Sequence, residues 1–169
     1  MRTIVFGLLA AVVAGGAVWA AQVAARNPSV YTDGLYGFSI QAPAFPPAPP
    51  GGGVIPVMLL GPSENGFTSN VNVLVQMGTT TRDALRQTML GQVKTMGFKV
   101  NAQRDVTVGE KPALLMDYEG QQAGKDLRVL SLSVIGADRV FTITCTGLKD
   151  AFPKYEKAFV DCVNSFRLN

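Results

Sequence analysis

Val140-Phe141-Thr142-Ile143-Thr144-Cys145 alternates apolar and hydroxyl side chains from Phe141 onward. A period of two marks a β-strand, so Phe141, Ile143 and Cys145 share one face. Upstream, Leu127 to Ile135 reads as a second strand, and Gly136-Ala137-Asp138 reads as the hairpin link between the two. Downstream, Phe152, Tyr155, Phe159, Cys162, Val163 and Phe166 recur at helical spacing. They predict a helix capped by Asp150, with Pro153 in its first turn, ending near Asn164. A helix returning across the strand brings Cys145 and Cys162 into one buried layer.

Working back from this unit, Phe98 to Val108 and Ala113 to Glu119 read as two further strands. Their expected turns are Gly109 to Pro112 and Gly120 to Gly124. A helix precedes them, with Thr80 as its cap, Asp83 three residues on, and Gly97 as its C-terminal stop. Leu85, Met89, Val93 and Met96 form its apolar stripe at spacings of 4, 4 and 3. Ser69 to Gln76 alternates with Val71, Val73 and Val75 inward, and pairs with Val54 to Leu60 across a turn at Gly61 to Gly66. Pro56 suggests an edge or a bulge. Val30-Tyr31-Thr32, a turn at Asp33-Gly34, and Tyr36 to Ile40 begin the folded region, with Phe38 and Ile40 inward. Residues 42–53 (APAFPPAPPGGG) hold five prolines and three glycines. They read as a surface loop; the alternatives are a polyproline II ligand or a flap over a pocket. Strands with hairpin links and a few helices laid on them predict an α+β fold, an antiparallel β-sheet flanked by helices.

The N-terminus carries an address. Met1-Arg2 is followed by the uncharged run Ile4 to Val18 and by Val18-Trp19-Ala20, a small residue at both positions that signal peptidase reads. The expected organisation is a signal peptide over 1–20, a spacer over 21–29 and a single domain over 30–169. The run is shorter than the roughly 20 residues a spanning helix prefers. The mature chain is therefore expected in the periplasm or outside the cell, with membrane attachment only if this segment stays uncleaved.

The chain has 169 residues, of which 16% are charged, below the roughly 25% of an average domain. With 15 basic and 12 acidic residues the net charge is +3, and loss of Arg2 with the leader leaves 14 against 12, or +2. No basic stripe with interleaved aromatics occurs, so nucleic acid is not an expected partner. Histidine is absent altogether, which excludes a Ser-His-Asp triad, a Cys-His dyad and a His-bearing zinc site. Cys145 and Cys162 are the only cysteines. In an exported chain they are expected to form a disulfide; the alternative is a pair of buried thiols. The lack of a C-x-x-C spacing argues against a redox-active pair.

Several short motifs fall in a telling order: Tyr31, Gly37-Phe38-Ser39-Ile40 and Pro43; Ser69-Asn70-Val71-Asn72-Val73; Gly109-x-x-Pro112-Ala113; Val140-Phe141-Thr142-Ile143-Thr144; and Val163-Asn164-Ser165-Phe166-Arg167. Over residues 31–167 the chain resembles the PsbP superfamily, which joins the photosystem II oxygen-evolving protein P to the Mog-type Ran-binding proteins. The resemblance implies an α/β/α sandwich. It also implies kinship with exported bacterial proteins of the DcrB and LpqN types and with type VI secretion chaperones, which mostly act as binding or assembly factors. No catalytic set defines the superfamily, so no functional residue carries over. The proline-glycine loop and the missing histidines depart from its pattern.

Asp117 and Glu119 share a strand face, and Asp105 and Glu110 flank a nearby turn. Such carboxylates could act as acid and base or hold Ca²⁺. The simpler reading pairs them with Arg or Lys across the sheet. No calcium loop, G-x-S-x-G elbow or phosphate loop occurs. The expected protein is thus no enzyme, with no cofactor and no metal: an exported binding or assembly module with a protein partner in the envelope. The alternative is a carrier of a small apolar or lipidic ligand on the stripe Leu85, Met89, Val93 and Met96.

Overall fold

A computed structural model describes residues 30–47 and 55–169. The expected signal peptide, the spacer and residues 48–53 of the loop lie outside the described residues. The elements are β1 (Val30–Asp33), β2 (Phe38–Gln41), β3 (Val57–Glu64), β4 (Phe67–Met77), α1 (Arg82–Thr95), β5 (Lys99–Val108), β6 (Lys111–Gln122), β7 (Lys125–Ile135), β8 (Arg139–Leu148), α2 (Phe152–Ser165) and β9 (Arg167–Leu168). Six strands form an antiparallel sheet in the order β3-β4-β8-β7-β6-β5, and β1-β2-β9 form a smaller one. This is the α+β class expected, an antiparallel sheet flanked by helices.

The strands run longer than the turn residues suggested. Asn65-Gly66 and Ala123-Gly124 each place two residues at positive φ (49° and 73°, 49° and 72°), which matches the twist of a two-residue hairpin. Gly120 therefore stays within β6. It is small because the Phe98 ring lies on it: a Cβ there would fall 2.4 Å from Phe98 Cδ1. Lys111 and Pro112 pair with Val108 and Thr107, so that turn shrinks to Gly109-Glu110. β3 continues through Gly61-Pro62 by a register shift between Leu60 and Ser63, as an edge strand can. The proline loop is less detached than expected. Leu60 N–H donates to the Pro46 carbonyl at 3.0 Å, and Phe45 packs on Tyr155 and Phe159. Proline lacks a donor but keeps its acceptor.

Both helix starts sit one residue later than predicted. Thr81, not Thr80, caps α1, accepting from Ala84 N–H at 3.2 Å. Asp83 then falls at the second helical position and bonds Arg86 instead of closing a capping box. Ala151 precedes α2 with no side-chain cap, so Asp150 does not serve as one. Gly97 ends α1 at φ 73° as expected, with Phe98 N–H reaching back to the Val93 carbonyl.

Each face of the large sheet has its own core. On one side lie α2 and the small sheet, with Phe38, Ile40, Val71, Val73, Phe141, Ile143, Cys145, Phe159, Cys162 and Phe166. On the other lies α1, with Leu85, Met89, Val93, Leu114, Met116, Tyr118 and Val129. Burial on both faces explains a failure of simple alternation. Asn70 and Asn72 point away from the valine face, yet they are buried.

Candidate functional site

Cys145 on β8 and Cys162 on α2 are both fully buried, and each thiol lies within hydrogen-bonding reach of the other. They are present as free thiols. Burial first, and then the neighbouring Cys162 thiol, push the Cys145 thiol far above its ordinary range. Neither sulfur is a reactive nucleophile in this setting.

Leu85, Met89 and Val93 are buried against Leu114, Met116 and Tyr118, and Met96 is half-buried at the edge of the same cluster. A lipid chain on this stripe would have to displace packed side chains.

Asp105, Asp117 and Glu119 are tied up in ion pairs, whereas Glu110 stands exposed in the β5–β6 turn. Arg128 reaches Asp117 through two contacts, at 3.2 and 2.7 Å, and Glu156 on α2 at 3.0 Å, with its guanidinium 4.6 Å over the Phe152 ring. Glu119 accepts from Lys149 at 3.1 Å, and Asn101 Nδ2 bridges Asp117 and Glu119 at 3.3 Å to each. Asp105 pairs with Arg86, away from Glu119. Lys149 and then Asn101 hold the Glu119 carboxyl below its usual range, the opposite of what a general acid needs. Among the described residues no group of three or more acidic, Cys or His side chains could hold a metal ion.

These pairs give a pH prediction. Arg86 lowers Asp105, Lys149 lowers Glu119 and Arg139 lowers Asp138. A depressed folded pKa means the unfolded chain takes up protons first. The contribution is present above the ordinary carboxylate range, about pH 4, and is lost as pH falls through the folded values. Melting temperature should fall steadily from pH 5 to pH 3, with a shallower slope in Asp105→Asn. An unchanged slope would remove Asp105 from the account.

The remaining polar feature is a lattice on the α1 side of the sheet. Register aligns Asn72 (β4), Thr144 (β8) and Ser131 (β7) in one row, and Asn70 with Thr146 in the next. A third row is closed under α1, where Ser133 Oγ and Thr142 Oγ1 lie 3.1 Å apart and Ser133 also meets Met89 Sδ. The other two rows are buried as well. Asn70 Oδ1, Asn72 Nδ2 and Thr146 Oγ1 are buried with no hydrogen-bond partner among the described residues. The Tyr118 and Ser131 hydroxyls lie within hydrogen-bonding reach of each other, and burial raises the Tyr118 pKa.

α1 explains the difference. It packs over β5 and β6. Arg86 turns one flank toward Asp105 on β5. At 100° per residue, Thr88, Gln92 and Thr95 face the opposite way, toward β8 and β4. A depression of about 360 Å³ follows that flank, lined by Gln87, Thr88, Gly91, Gln92, Thr95 and Met96. Sequence reading passed over this lattice because alternation assigns polar residues to solvent. The available signal was compositional: these positions carry Asn, Ser and Thr, with none of the Lys or Glu a wetted face draws.

No protein-family model matches this sequence, and no curated protein does. Solved structures do match. The solution structure of cyanobacterial PsbP from Synechocystis sp. PCC 6803 aligns at a TM-score of 0.60 and 11% identity, over 92% of this chain and 98% of that one. LpqN, involved in cell envelope biogenesis of Mycobacterium tuberculosis, aligns at 0.67 and 15% identity, over 83% and 90%. A Pseudomonas aeruginosa protein of unknown function aligns at 0.51 and 15%, over 83% and 96%. With two helices on the two faces of one large antiparallel sheet, this chain has the PsbP-type fold.

Proposed function

We propose that this chain is an exported, non-catalytic binding module acting in the cell envelope or beyond it. The observation that carries the reading is the state of its chemistry-bearing side chains. Asp117, Glu119 and Asp105 sit in ion pairs, both cysteines are sealed in the core, and histidine is absent. Apart from Arg82 Nε, the buried polar atoms left without a partner among the described residues, such as those of Asn70, Asn72 and Thr146, belong to neutral amides and hydroxyls, suited to recognition rather than proton transfer. The leader-like N-terminus supports export. So does the fold shared with LpqN, a protein named for a role in envelope biogenesis. Transport of an apolar or lipidic ligand on the α1 stripe has less support, since Leu85, Met89 and Val93 are already packed.

The test is affinity purification of the C-terminally tagged full chain from its native envelope, with intact mass recorded on the same sample. The expected result is a chain beginning near Ala21 with an enriched protein partner. Recovery from the cytoplasmic fraction, or hydrolytic turnover abolished by Asp117→Asn or Glu119→Gln, would overturn the reading.

A further inference from the structure

We propose that the cavity where β8 leaves the large sheet binds a free amino acid that carries a second basic group, of the lysine or arginine type. The inference rests on the non-catalytic binding reading and names a ligand class for it. β8 lies between β4 and β7 and departs toward α2 after Leu148. The β3–β4 and β6–β7 hairpins flank that exit, and Lys125 Nζ reaches from one tip to the Asn65 carbonyl of the other at 2.7 Å. Among these elements lies a cavity of about 300 Å³, lined by Glu64, Asn65, Lys125, Asp126, Asp150 and Lys154 together with the start of α2. Its volume is at the small end of the range for small-molecule sites.

The wall charges select the ligand. Glu64 is already answered by Lys154 and by the Tyr155 hydroxyl, each at 3.2 Å. Lys125 has a carbonyl partner but no carboxylate partner among the described residues. The Asp126 carboxylate meets only the Gln121 amide, at 3.5 Å, and Asp150 has no side-chain hydrogen bond or ion pair among the described residues. Register brings these two carboxylates to one wall: Leu127 pairs with Leu148, and Lys149 N–H donates to the Asp126 carbonyl at 2.9 Å, with Asp150 next in the chain. One ammonium and two carboxylates therefore stand unanswered around one cavity. A ligand with one carboxylate and two cationic groups mirrors that set, and its net positive charge offsets the net negative charge left on the wall. α2 begins at this wall without a side-chain cap, and the positive end of its dipole favours the ligand carboxylate. A simple anion would face Asp126 and Asp150, and a simple diamine would face Lys125, so the mixed wall discriminates against both.

The experiment uses the full chain purified from its host after its own processing, titrated by calorimetry with L-lysine and L-arginine. Nα-acetyl-lysine, Nε-acetyl-lysine and 1,5-diaminopentane, each lacking one of the ligand's charges, complete the series. Saturable binding of lysine or arginine is expected, with each analogue about tenfold weaker or more. Asp126→Asn and Asp150→Asn should each weaken the amino acid about tenfold or more. Both carboxylates are exposed, so these variants keep the fold of the parent. Lys125→Gln should abolish the preference for lysine over 1,5-diaminopentane, a change that a merely structural lysine would not produce. No saturable heat with either amino acid would overturn the proposal. So would binding that both aspartate variants leave unchanged, or equal affinity of the parent for lysine and 1,5-diaminopentane, the mark of a plain acidic surface. None of these results touches the capture of an envelope partner, so the two readings fail separately.

Discussion

Phe38→Ala should cost about 3–5 kcal/mol of stability and lower the melting temperature by roughly 10–15 °C. Phe38 is fully buried, yet it belongs to the small sheet. Its ring meets Phe166 at 5.6 Å, Phe141 at 5.9 Å and Tyr31 at 6.1 Å, joining β8, the end of α2 and β1 in one aromatic cluster. Ile40, also fully buried, packs in the same core, and Gln41 N–H donates to Ser165 Oγ at the end of α2 at 2.7 Å. Removing the ring leaves a cavity that the rigid large sheet cannot collapse into. The loss should therefore appear first in hydrogen exchange of β1 and β2, ahead of β7 and β8. Val160→Ala, on the exposed side of α2, is the control and should change stability by no more than about 0.5 kcal/mol. Equal effects of the two substitutions would show that Phe38 does not anchor the sheet.

The second large effect concerns Cys145 and Cys162. In an oxidising envelope the two thiols should be joined, each losing a proton and the pair passing two electrons to a thiol–disulfide exchange partner. By the chain-entropy relation, a bridge closing this short loop contributes about 3 kcal/mol. Because both sulfurs are fully buried, the bond must form before the core closes. Protein taken from its native envelope should show a mass two hydrogens short and no alkylation in guanidinium until a reductant is added. Without denaturant, reductant should leave it intact. Two alkylated cysteines in unreduced, unfolded protein would establish the thiol form, and the double alanine variant would then cost only the loss of packing.

Much of the architecture was legible because apolar periodicity is a direct consequence of burial. Phe141, Ile143 and Cys145 announced a strand face. Phe152, Phe159, Cys162 and Phe166 announced the helix that packs on it. Turn lengths were less legible, since a glycine marks conformational freedom and close approach alike. Gly120 looks like a turn residue and is instead the seat of the Phe98 ring. Capping was misread by one residue at Thr80 and at Asp150, because a hydroxyl or carboxylate can cap only where the backbone of the preceding turn aims it.

The chain alone determined the order and type of the main elements, the inward face shared by Val71, Val73 and Val75 and by Phe141, Ile143 and Cys145, and the exclusion of histidine chemistry, since each depends on composition or on local spacing. The tertiary structure decided which strands neighbour one another. It thereby set Asn72 beside Thr144 and Ser131, and Asp117 beside Arg128. It also decided that α1 lies over β5 and β6, where Ser133 and Thr142 meet beneath it. Residues separated by tens of positions meet only through strand register and helix placement. No local pattern encodes which hydroxyls find each other.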